Sequence, residues 1–138
     1  MKKILLTIAL IGILVAGVVG YLLYNKPHRD IGKASSDFVV DASTLFREFE
    51  EDEAAANTKY LDKVIKVRGN VKSAHTDAEG NMMLTLEAGD EMFGVTCTIP
   101  EKNLANAATI REGQHLTVKG VCTGKLMDVV LIRCVPED

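Results

Sequence analysis

The chain has no tryptophan, and three tyrosines with four phenylalanines bring its aromatic share to only 5%. So few rings leave little from which to build a base-stacking platform or an aromatic cage. Three cysteines are too few for a four-thiolate zinc site or a disulfide-dense scaffold. Three prolines exclude a polyproline chain. Positive charge is also short, with 16 Lys and Arg against 19 Asp and Glu for a net charge of −3. A chain of that sign is not drawn to nucleic acid by counterion release. Phosphate-binding glycine loops, a hydrolase elbow, zinc spacing and paired carboxylates are all missing, so neither an enzyme nor a cofactor is expected.

What the chain does have begins at its first residues. Lys2 and Lys3 precede an uncharged apolar run over residues 4–24, which as a helix reaches about 31 Å and spans a hydrocarbon core. A cleavable signal peptide has an apolar region of about 7–15 residues, so the run points to a retained anchor. Cleavage before Tyr21, after Val18 and Gly20, is the alternative. The positive first flank predicts a cytoplasmic N-terminus and a domain outside the cytoplasm, periplasmic or extracellular. Gly12, Ala16 and Gly20 form a small-xxx-small stripe on which two such helices would pair as a homodimer. Residues 25–37, with Pro27 and Gly32 and no period, read as a linker. Setting Lys2 and Lys3 aside leaves the exported part near −5, which opposes attraction to an anionic surface.

The domain is expected over 38–138. Phe38, Val39 and Val40 form a short strand or a helix lead-in, and Asp41 is a plausible N-cap. Ala42, Leu45, Phe46 and Phe49 follow at helical spacing, with an acidic outer face from Glu48 to Glu53, and the helix should fade near Asn57. At 64–73 the period changes to two: Ile65, Val67 and Val71 oppose Lys66, Arg68, Asn70 and Lys72, with a bend or bulge expected at Gly69. Further alternating segments cover 82–87, 93–99, 116–122 and 127–135, and a short helix is expected over 101–111. In the last segment Val130, Ile132 and Cys134 share one face, and Val129, Leu131 and Arg133 the other. The fold expected is therefore mainly β: a five-stranded OB-fold barrel with a preceding helix, a short helix between the third and fourth strands, and an N-terminal transmembrane helix.

Three stretches, AAANTKYLDKVIKVRGNV, VTCTIP and KGVCTGKLMDVVLIRC, resemble the tRNA_anti-like OB-fold family over roughly residues 38–135. The resemblance implies a barrel often exported or membrane-attached in bacteria, with no firmly assigned activity; the family name records likeness to anticodon-binding domains. Two functions follow: a membrane-tethered binding module of the cell envelope, acting on an unidentified envelope protein or ligand, or an oligonucleotide-binding domain.

Residue by residue, Lys66, Arg68, Lys72 and Lys119 are candidate anionic-ligand contacts, although solvent-facing strand positions are often basic. The second and third strands offer only Phe93, and its alternation with Val95 and Cys97 points it into the core. Nucleic acid is therefore not the expected partner. His75, Asp77 and Glu79 alternate in the first hairpin, where a polar turn accounts for them as well as a metal would. Met82, Met83, Met92 and Met127 read mostly as core filling rather than a copper site. His115 has no evident partner. Cys97, Cys122 and Cys134 face inward, either as free thiols or with a Cys122–Cys134 disulfide.

Overall fold

The structure, a computed structural model, describes residues 1–25 and 30–137. Residues 26–29, which include the charged flank Lys26 and Arg29 of the expected linker, and the final Asp138 lie outside the described residues. The apolar run forms α1, Lys2–Tyr24, with none of its residues buried. It is long and apolar enough to cross a membrane, at a mean hydropathy of 2.6.

Phe38–Asp41 is a strand, β1, paired in parallel with the first part of β2 (Val64–Thr76). Between them the expected single helix is two, α2 (Ala42–Glu51) and α3 (Glu53–Tyr60). The break is Asp52, whose backbone is extended at φ −154° and ψ 92° and whose carboxylate accepts from Ala55 N at 3.0 Å. That contact caps α3 and carries it past Asn57 to Tyr60. Leu45, Phe46 and Phe49 of α2 are buried, and Phe49 stacks on Tyr60, which meets Phe38 edge-on at 5.3 Å. Asp41 does stand at the N-cap, but its carboxylate makes no cap bond and instead pairs with Arg68 at 3.2 Å.

The five expected barrel strands are β2, β3 (Met82–Glu87), β4 (Gly94–Ile99), β5 (His115–Lys125) and β6 (Val129–Glu137). They run in the order β2-β3-β4-β6-β5, and pairing of β5 with β2 closes the sheet into an OB-type barrel. β4 and β6 are parallel, whereas the other barrel pairs are antiparallel. β2 is shared between the two halves, pairing with β5 through residues 64–70 and with β3 through 71–76. The ladder shifts between Val71 and Ser73, so the bulge lies beyond Gly69 and not at it. Gly69 serves a close approach instead: a β-carbon there would stand 3.1 Å from that of Ala42, where α2 begins against the strand.

The short helix expected over 101–111 is present as a six-residue 3-10 helix, Glu101–Asn106, with Asn103 N bonded to Pro100 O at 2.8 Å and Ala107 N to Leu104 O at 2.9 Å. Asn103 and Asn106 are weak helix formers, and only Ala107 is fully buried to reward an ordered turn. In β6 the alternation is broken at Arg133, a non-glycine residue with φ +53°. Val129, Leu131 and Cys134 all turn inward, whereas Val130 and Ile132 are half-exposed.

The second half of the expected linker is part of the barrel. Ile31 is buried against Val64 and Val121, Asp37 N donates to Val64 O at 2.7 Å, and Asp37 Oδ2 accepts from Val64 N.

Candidate ligand-binding surface

The basic stripe that is the candidate for anion contacts is occupied by the protein itself. Lys119 has 5% of its surface exposed; its ammonium donates to Gly32 O at 2.9 Å and Ala34 O at 3.2 Å and pairs with Glu137 at 2.8 Å. It is opposite Lys66 in the β2–β5 register, and Lys66 reaches the other oxygen of Glu137 at 2.6 Å. Burial pushes the Glu137 carboxyl up, but the hydrogen bonds from the two lysines outweigh it and hold the group below its ordinary value. Arg68 is taken by Asp41, and Lys72 by the carbonyls of Glu91 at 2.6 Å and Asp90 at 3.4 Å. The period-two pattern places these side chains on the face of the sheet away from the barrel core, although Lys119 is buried there. The pattern carries no sign of the carbonyls that the 30–34 strap brings over Lys119.

The outer face of β3 and β4, the usual ligand face of this fold, presents Met83 opposite Thr98 and Thr85 opposite Thr96. Thr98 Oγ1 donates to Met83 Sδ, and Thr96 Oγ1 to Asp128 Oδ2 at 2.7 Å; Asp128 also accepts from Gly94 N. Phe93 packs against the core. The strands of this face therefore display neither an aromatic ring nor a cation. At one end of the barrel Met92, Leu126 and Met127 are exposed, so two of the four methionines are not core filling; Met82 packs on the core.

Asp77 is engaged in its own hairpin, accepting from Glu79 N and Asn81 N at 2.9 Å and from Asn81 Nδ2 at 3.1 Å. Among the described residues no group of three or more His, Cys, Asp or Glu side chains is placed to hold a metal. His115 Nδ1 lies 3.0 Å from Asn70 Oδ1, a cross-strand partner set by the β2–β5 register.

All three cysteines are buried free thiols. Cys122 stands opposite Leu131, and Cys134 has the Cys97 thiol as its neighbour, so of the two alternatives the thiols are free and the Cys122–Cys134 bridge is not formed. The reason is the break at Arg133, which turns Cys134 over Gly120 and toward β4, where a β-carbon at position 120 would collide with its sulfur. Burial pushes the thiols of Cys122 and Cys134 up, and the neighbouring Cys97 adds to the effect at Cys134. Neither is placed to act as a thiolate nucleophile.

The comparisons with known proteins agree with this geometry. A family model described as tRNA_anti-like matches residues 1–135. A search of curated proteins gave no match. Among solved structures, the chain is similar to a protein from Klebsiella pneumoniae subsp. pneumoniae MGH 78578 described as a "putative nucleic acid-binding lipoprotein". The identity is 17% and the TM-score 0.59, over 82% of this chain and 100% of that one. At that identity the likeness is one of fold.

Proposed function

The chain belongs to the tRNA_anti-like family, and from that membership and its own geometry we propose that it is a membrane-tethered OB-fold binding module of the cell envelope without catalytic activity. The observation that carries this reading is how soon after α1, in sequence, the folded domain begins. Residue 31, only a few positions beyond the apolar helix, is already buried in the domain, and Lys119 ties down the carbonyls on either side of Lys33. An apolar segment so close in sequence to a folded domain suits a permanent anchor. The solved lipoprotein of the same fold is consistent with an envelope location. Binding without chemistry fits buried, up-shifted thiols and basic side chains spent on internal pairs.

The runner-up, an oligonucleotide-binding domain, is favoured by the description of the Klebsiella protein as nucleic acid-binding. Against it stand the ring-free β3–β4 face and the neutralised lysines. The tethered reading is tested by expressing the full chain, washing the membranes with high salt and carbonate, and measuring the intact mass. Retention with the first residues still attached is expected; a mature form beginning near Tyr21 and released from the membrane contradicts it.

A further inference from the structure

The four residues 26–29 join Asn25 to Asp30, and five extended Cα steps reach at most about 18 Å. Given the membrane tether proposed above, on which this inference rests, the barrel cannot move away from the bilayer. The face that carries the 30–34 strap is held beside the headgroups.

That face contains a cavity of about 580 Å³ between the strap, the turn after β4 and the end of β6. Ile31 and Val135 give it apolar walls, Asn103 a polar one, and Lys102 and Arg133 supply cations. Most basic side chains of the domain are committed elsewhere, to Glu137, Asp41, Glu48, Glu50, Glu51, Asp30 or loop carbonyls. Among the described residues of the domain, Lys63, Lys102, Arg111 and Arg133 have neither an ion pair nor a side-chain hydrogen bond. Two of these four line this one cavity.

Arg133 is also held at φ +53°, a conformation an arginine adopts at a cost and one that recurs at ligand sites. The carboxylate in the lining, Asp30, has one oxygen bonded to Gly32 N at 3.0 Å and the other 4.0 Å from Lys33 Nζ, so its charge is partly offset.

We infer that this cavity receives the phosphate of an anionic phospholipid from the membrane that holds α1, with the Arg133 guanidinium and the Lys102 ammonium as its counter-ions. A guanidinium fork matches two phosphate oxygens, and the lysine adds a point charge. The domain as a whole is negative and is repelled by an acidic surface. Binding is therefore confined to this one locally basic face, which the tether delivers to the headgroups.

The test is hydrogen–deuterium exchange on the full chain in nanodiscs of phosphatidylcholine alone or mixed equally with phosphatidylglycerol. Amides of residues 30–34, 101–104 and 132–135 are expected to exchange at least about fivefold more slowly in the mixed discs. K102Q combined with R133Q should abolish the difference, whereas R111Q, which removes a cation outside the cavity, should keep it. Because R133G removes the guanidinium while relieving the backbone, a variant that folds at least as well and still loses protection supports a ligand role. Equal exchange in both lipids, or protection retained in K102Q/R133Q, overturns the inference. Equal protection by excess inorganic phosphate on phosphatidylcholine discs overturns the lipid source. A chain that does not enter the nanodiscs at all contradicts the tethered module instead, so the two failures are distinguishable.

Discussion

Lys119 shows how little a single letter says about its use. On an alternating strand it reads as a solvent-facing cation, yet it is nearly sealed beneath residues 30–34 and shares Glu137 with Lys66. Replacing it with methionine keeps the apolar stem and removes the charge, leaving the carbonyls of Gly32 and Ala34 and part of Glu137 without a donor. The expected loss is about 3 kcal/mol in chemical denaturation of the full chain in detergent, the usual scale for breaking a buried pair from one side. Glu137 gives the matching pH dependence. Its carboxyl sits below the ordinary 4.5 in the folded protein, so its contribution is complete above the unfolded value and is lost as pH falls through the lower folded value. Thermal unfolding between about pH 5 and pH 2 should fall less steeply in E137Q than in the parent; parallel acid limbs would show that the pairing contributes nothing.

Among the elements, the long strands were legible because their period was clean and one face was buried. The misreadings lie where a single residue resets the phase. Asp52 leaves the helical region and starts a new helix, which residue spacing alone cannot reveal across an acidic run. Arg133 inserts one step into β6, so the face assigned to Cys134 was right for that residue while the faces assigned to Val129 and Leu131 were inverted. Asp52→Ala should remove the α3 cap at a cost of about 1 kcal/mol, seen as a lower thermal midpoint. Gly120→Ala should cost about 1–3 kcal/mol by overpacking against Cys134. Adding Cys134→Ala should recover a substantial part of that loss, because the two substitutions share one space; strictly additive losses would mean that the sulfur is not the obstacle.

At the scale of the whole molecule, fold and candidate site differ in how far they could be read. The barrel follows from five alternating segments and their turns. The candidate cavity does not, because Lys102, Asn103 and Arg133 are brought together by the turn after β4 and the break in β6, and the strap closes over them only in three dimensions. The basic stripe shows the converse: its charges are visible in the sequence, but the partners that consume them are not. What remains is a barrel whose β3–β4 face lacks rings and free cations, preceded by an apolar helix long enough to cross a membrane. The most direct test of this account is fluorescence anisotropy of labelled RNA and DNA oligomers titrated with the full chain in detergent at about 0.15 M salt, since phosphate contacts and stacking of about 1–3 kcal/mol per base are the two sources of such binding. The account predicts no saturable change into the micromolar range; saturable binding that weakens in Lys66→Ala and Arg68→Ala would contradict it and establish the oligonucleotide-binding reading.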